Sequence, residues 1–267
     1  MKKLIFALFC FVSFEANAQV SADTAKKVKL ADTIKKDLFT APDTVKHLHS
    51  KASSLIVPLA AIAYGVSSFT IHPIRRIDYY FYSETEKTNP NFSTKAESYF
   101  EFGPIAMVYG LDLIGVEGKN TFIDRTALLG LSTAFLGISE EATKYSTHRL
   151  RPNRSDYLSF PSAHTGVAFM GAEFLAQEYS DESPVYTVIG YSIAVTTGVF
   201  RMYNRDHWFS DVVAGAGFGV LSTKLSYLVY PYIRNALTHT NNKTGKKTMV
   251  MPSYQDGAAG LSFAADL

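Results

Sequence analysis

Asn120-TFIDRTALLGLSTAFLGISEEATKYS-Thr147 is the stretch on which the fold class turns. It is apolar over most of its length, holds no charge from 126 to 139, and is built of helix formers and small residues with little strand-like alternation. That is the pattern of a long helix. Stretches of the same kind lie near Ser53 to Phe69, Lys95 to Val116, Ser162 to Tyr179, Pro184 to Phe200 and Ser210 to Ile233, separated by short polar loops. Pro184 suits the first turn of the fifth helix, and Ser210 suits an N-cap for the sixth. The expectation is an all-α bundle of about six helices over residues 51–235. In the tail, 236–267, Met249 to Tyr254 and Gly260 to Phe263 flank the turn-like Gln255-Asp256-Gly257 and can close a short C-terminal β-hairpin.

The chain has 267 residues, 47% of them hydrophobic and 19% charged, which is far from the composition of a disordered protein. A formal net charge of +2, spread along the chain, argues against a nucleic-acid partner, which needs a basic stripe. Lys2 and Lys3, the apolar run Leu4 to Phe14 and the small-x-small Ala16-Asn17-Ala18 read as a signal peptide over residues 1–18, cleaved before Gln19. Cleavage removes Cys10, the single cysteine, so the exported chain has neither a disulfide nor a thiol nucleophile. A periplasmic location follows, with membrane association left open. Residues 19–50 form a polar leader whose His47 and His49 read as solvated side chains.

The uncharged runs 126–139 and 183–200 are shorter than the roughly 20 apolar residues of a membrane span. If all six helices crossed, a cleaved signal would place the loops after helices three and five in the cytoplasm. Either not all of them span or the signal stays attached.

Those two loops collect the chemistry. One carries Lys144-Tyr-Ser-Thr-His-Arg-Leu-Arg151-Pro152 and Pro161-Ser162-Ala163-His164; the other carries Arg201-Met-Tyr-Asn-Arg-Asp-His207-Trp-Phe-Ser-Asp211. Each alone has a plain explanation, as a helix-end cation, a helix start or a chance pairing four residues apart. Together they supply a phosphoryl-transfer site. Lys144, Arg151 and Arg201 offer cations for phosphate oxygens. Ser162 and Ala163 offer backbone N–H groups at a helix N-terminus. Asp211, four residues after His207, can hold the imidazole tautomer that leaves the other nitrogen free to attack. His164 remains as the acid for the leaving oxygen.

Order and spacing resemble the type 2 phosphatidic acid phosphatase superfamily, with its Lys-x6-Arg-Pro, Pro-Ser-Gly-His and Ser-Arg-x5-His-x3-Asp elements. Lys144, Arg151 and Pro152 match the first, Pro161, Ser162 and His164 the second, and Arg201, His207 and Asp211 the third, with likeness extending over 120–232. Ala163 replaces the usual glycine and Phe200 the usual serine. The resemblance implies metal-independent hydrolysis of phosphate monoesters or diphosphates through a phosphohistidine on His207, with no cofactor. It implies a phosphorylated lipid, isoprenoid or small-molecule substrate and no identifiable protein partner. A broad-specificity periplasmic acid phosphatase, a vanadium haloperoxidase and a non-catalytic envelope protein are the competing readings. Arg75, Arg76 and the run Tyr79 to Tyr82 read as an aromatic core edge or an interfacial anchor, and His148, Arg149 and Arg154 stand unranked beside the motifs.

Overall fold

The computed structural model describes residues 52–240, 247–255 and 258–265; the expected signal peptide and polar leader lie outside the described residues. After a 3-10 turn (Ala52–Leu55) come α1 (Ile56–Ser67), α2 (His72–Thr88), α3 (Glu97–Phe100), α4 (Gly103–Leu113), α5 (Phe122–Thr147), α6 (Ala163–Tyr179), α7 (Pro184–Tyr203) and α8 (Phe209–Leu237). A small sheet of β1 (Thr238–Thr240), β2 (Lys247–Gln255) and β3 (Ala258–Ala265) follows. Every expected helical stretch holds a helix, and the fold class is an all-α bundle.

Three local expectations change. His72 to Thr88 is a helix in its own right, begun by Pro73 in the first turn, where the missing N–H costs nothing. Within the aromatic run Phe81 stacks on Phe209 with ring centroids 4.6 Å apart, Tyr79 meets Trp208 edge-on at 5.3 Å and Tyr80 meets Phe81 edge-on at 5.6 Å, both tyrosines remaining exposed. The stretch Lys95 to Val116 is broken into α3 and α4, because Pro104 in the first turn of α4 cannot continue a helix from before it. Ser210 lies inside α8 rather than capping it. Its N–H and hydroxyl both bond Asp78, at 2.8 Å each, so a carboxylate from α2 satisfies the start of α8.

α6 lies at the centre, packed on α4, α7 and α8, while α8 also packs on α1 and α5. Glycines set these approaches. A Cβ on Gly215 would sit 2.5 Å from the Ser162 carbonyl oxygen, and one on Gly219 would collide with the carbonyl of Gly166, so α8 lies with its backbone against the start of α6. Val108, Leu128, Phe174, Leu175, Tyr179 and Tyr227 form the main core. At the start of α5, Arg125 is buried between Glu178 (3.2 Å) and Asp112 (2.8 Å). That network lies about 28 Å along α5 from Lys144, at 1.5 Å per residue.

The expected hairpin is present and longer than anticipated: β2 and β3 pair antiparallel from Thr248↔Ala265 to Gln255↔Ala258, and β1 adds a third strand.

By length and composition, α5 (Phe122–Thr147) and α8 (Phe209–Arg234) are each able to cross a membrane, and the pair α1–α2, bent by 88°, is a third candidate. The uncharged run 126–139 alone understates the apolar helix, since Phe122 and Ile123 extend it past the single pair of charges Asp124 and Arg125. α7 does not qualify among the described residues. Ile56, Val57, Ile138, Val188 and Val195 point outward from α1, α5 and α7 and are exposed.

Candidate active site

Lys144 stands in the last turn of α5, Arg201 in the last turn of α7, and His164 and Asp211 in the first turns of α6 and α8. Two helix ends therefore deliver cations, and two helix starts deliver an imidazole and a carboxylate. The left-handed His148 (φ 43°) terminates α5 and turns the chain into the loop that carries Arg149 and Arg151.

His207 is 3% exposed. Its Nδ1 lies 2.6 Å from the Ser159 carbonyl oxygen, and its Nε2 lies 3.2 Å from Arg151 Nη1. A carbonyl only accepts, so Nδ1 carries the proton and Nε2 presents a lone pair toward Arg151. The expectation that Asp211 holds this tautomer is thereby corrected. Asp211 Oδ2 is 3.8 Å from Nδ1, beyond hydrogen-bond range, and accepts instead from the Ser159 hydroxyl (2.5 Å) and the Trp208 N–H (2.9 Å). Its other oxygen accepts from Arg149 Nη1 at 2.6 Å, and Arg149 Nη2 donates to Asp78 at 2.7 Å. Asp211 thus grips Ser159, and the Ser159 backbone orients the imidazole.

The cations keep spare donors. Lys144 Nζ uses one, on the Pro161 carbonyl at 2.6 Å. Arg151 Nε binds Asp156 at 2.8 Å, and Arg201 Nη1 binds Glu97 at 3.2 Å and Asp206 at 2.9 Å. Arg201 Nε is buried with no partner among the described residues, a donor set for an acceptor that a ligand can bring.

At the start of α6, Ser162 is fully buried and its N–H donates to the Asp211 carbonyl at 3.1 Å. The expected role of that N–H toward an anion is therefore corrected: Ser162 joins α6 to α8. Its hydroxyl pairs with Thr165 at 2.9 Å and caps nothing, so the first-turn N–H groups, that of Ala163 included, are left uncapped. Ala163 is the first helical residue and lies outside the positive-φ set of His148, Arg154 and Arg205, so a methyl group is accommodated there without strain. Phe200 turns toward Phe92 and Phe100, at 5.9 and 6.0 Å between ring centroids, and serves an aromatic cluster where a serine could not.

Burial and then Arg201, Arg151 and Lys144 lower the pKa of His207 well below 6.5; burial and the same three cations lower that of His164 to about 4. Both imidazoles thus lie in the field of one cationic cluster. Among the described residues, no group of three or more His, Cys, Asp or Glu side chains is placed to hold a metal ion.

Ser159, Asp78 and Glu101 escaped the sequence reading. Ser159 acts partly through its backbone, and Asp78 and Glu101 sit far along the chain in segments without a motif. Arg149 was visible inside the first motif, but only its two carboxylate partners give it rank.

Residues 125–235 match the PAP2 superfamily. The chain is 30% identical over 246 residues to a lipid A 1-phosphatase of Porphyromonas gingivalis, covering 91% of this chain and 53% of that protein. It is 33% identical over 96 residues to a probable lipid phosphate phosphatase 4 of Arabidopsis thaliana, 31% of either chain. The chain thus spans about half the length of the first relative and under a third of the second. A solved transmembrane PAP2-type phosphatidylglycerolphosphate phosphatase of Bacillus subtilis is 21% identical, covering 66% of this chain and 97% of that one, with a TM-score of 0.49.

Proposed function

We propose that this chain, which belongs to the PAP2 superfamily through residues 125–235, is a membrane-associated phosphatase that hydrolyses a lipid phosphate through a covalent phosphohistidine on His207. One observation carries the reading. The Nε2 of His207 is kept unprotonated by the Nδ1–H bond to the Ser159 carbonyl and accepts from Arg151, within the field of Lys144 and Arg201. A buried neutral imidazole among three cations is a nucleophile paired with a receptor for phosphate oxygens.

In this mechanism Nε2 attacks phosphorus while Lys144, Arg151, Arg201 and the uncapped start of α6 take the oxygens. His164 gives a proton to the leaving oxygen. Water then attacks the phosphohistidine and returns a proton to His164. The exposed apolar side chains of α1, α5 and α7 and the two helices able to cross a membrane favour a lipid substrate over the soluble acid phosphatase reading. The name of the Porphyromonas gingivalis relative puts lipid A 1-phosphate first among the lipids to assay. Export through residues 1–18, with the site outside the cytoplasm, completes the proposal.

The test is phosphate release from detergent-solubilised protein. Activity is expected to survive chelator, to be inhibited by vanadate, which mimics the five-coordinate transition state, and to vanish in His207→Ala. A His207→Ala variant as active as the wild type would overturn the reading.

A further inference from the structure

Glu101 closes α3, directly before the break ahead of α4, and is 8% exposed, yet its carboxyl group makes no hydrogen bond among the described residues. Its nearest ionisable partner is the candidate acid: Oε1 lies 3.9 Å from His164 Nε2, with the Ser98 hydroxyl 3.5 Å from the same nitrogen. His164 Nδ1 has no hydrogen bond among the described residues and is the nitrogen left to face a leaving oxygen.

We propose that Glu101 is the proton reservoir behind His164, reprotonating the imidazole at Nε2 as Nδ1 gives its proton to the leaving oxygen. The proposal rests on the phosphatase reading above and adds a residue that acts through His164. The proton count closes. In the first half-reaction the P–O bond of the ester breaks and a P–N bond forms at His207. The leaving oxygen takes the Nδ1 proton, and Nε2 takes the proton of the Glu101 carboxyl. In the second, water attacks phosphorus and the P–N bond breaks, returning the lone pair to His207 Nε2 and releasing phosphate; the water's proton goes to His164 Nδ1, and the His164 Nε2 proton returns to the Glu101 carboxylate. At 3.9 Å the pair is one bridging water or one small side-chain rotation from transfer.

The surroundings give the relay a purpose. Burial, and then Arg201, Arg151 and Lys144, which must be cationic to hold phosphate, strip the spare proton from His164, whose pKa falls to about 4. A neutral imidazole can donate only if it is resupplied from its other side. Glu101 can do so, because burial, opposed by Arg201 and reinforced by Glu97, raises its pKa to about 7. The groups facing it are Glu97 on α3, His164 on α6, Arg201 on α7 and Glu140 on α5. The sign follows: the carboxyl holds its proton below about pH 7 and has lost it above.

The experiment compares wild type, Glu101→Gln and Glu101→Asp on an alkyl phosphate and on p-nitrophenyl phosphate, reading kcat/KM against pH. This parameter reports the leaving-group step from the free enzyme. For Glu101→Gln the alkyl value is expected to fall about 10- to 100-fold, within the general range of acid catalysis. The aryl value, whose leaving group needs little protonation, should change less than about threefold and so doubles as the check on folding. Wild type should lose alkyl activity above about pH 7 beyond what the substrate's ionisation explains, and that limb should vanish in Glu101→Gln and return in Glu101→Asp. Unchanged alkyl activity, or equal losses on both substrates, overturns the role of Glu101 while a dead His207→Ala variant leaves the phosphatase reading standing. A wild-type chain that releases phosphate from neither substrate overturns both.

Discussion

Replacing Asp211 by asparagine separates two accounts of what this carboxylate does. If it held the His207 tautomer directly, the substitution would shift the proton from Nδ1 to Nε2 and block attack. The geometry assigns that task to the Ser159 carbonyl, 2.6 Å away, and leaves Asp211 at 3.8 Å as a charge. Once Nε2 is phosphorylated with Nδ1–H retained, the imidazole is cationic. Opposite unit charges 3.8 Å apart attract by about 4 kcal/mol at an effective dielectric of about 20. Losing that attraction slows phosphorylation about a thousandfold. The amide also turns a donor toward the Trp208 N–H or gives up the Arg149 contact, and an orphaned buried group costs about 1–3 kcal/mol of stability. The assay is single-turnover phosphate transfer, joined to nitrogen NMR of the His207 ring. The expected outcome is a folded variant about a thousandfold slower with its proton still on Nδ1. A proton moved to Nε2, or a rate within tenfold of wild type, would refute the reasoning.

Three further outcomes follow from the same geometry. Because burial and three cations disfavour protonated His207, its ring should stay neutral as pH falls through 6.5; nitrogen NMR of the His207 ring checks this, and a ring that titrates at 6.5 would contradict it. Arg149→Met leaves the buried carboxylates of Asp78 and Asp211 without their shared cation, which should cost about 3–5 kcal/mol in chemical unfolding; a loss under about 1 kcal/mol would show the pair is dispensable. Gly215→Ala sets a methyl 2.5 Å from the Ser162 carbonyl and should cost about 1–3 kcal/mol and lower activity, whereas Gly130→Ala, with open space around it, should leave both intact. Equal behaviour of the two glycine variants would argue against backbone contact between α6 and α8 as the support of the site.

The helical class, the positions of most helices and the grouping of His207, His164, Asp211, Lys144, Arg151 and Arg201 as candidates were legible in the sequence, because each depends on local chemistry. Apolar runs of helix formers make helices wherever they fall. Pro184 and Ser183 start α7 with a ring and a hydroxyl that act within two residues, the Ser183 Oγ accepting from the Val185 N–H. The motif side chains announce themselves by type and spacing. α2 was missed because its apolar positions are separated by Arg75, Arg76 and a tyrosine run, and its value lies in partners elsewhere: Asp78 meets the start of α8 132 positions away. What only the tertiary structure decided is the wiring between the motifs. The group that orients His207 is a backbone carbonyl, which every residue possesses and no spacing can single out. Ser162 spends its N–H on the Asp211 carbonyl for the same reason, since that bond exists only where Gly215 lets two helix backbones meet. Glu101 comes to His164 across 63 positions of chain by the break between α3 and α4, and its altered proton affinity comes from burial and from neighbours on other helices, which are properties of a packed environment rather than of a residue type.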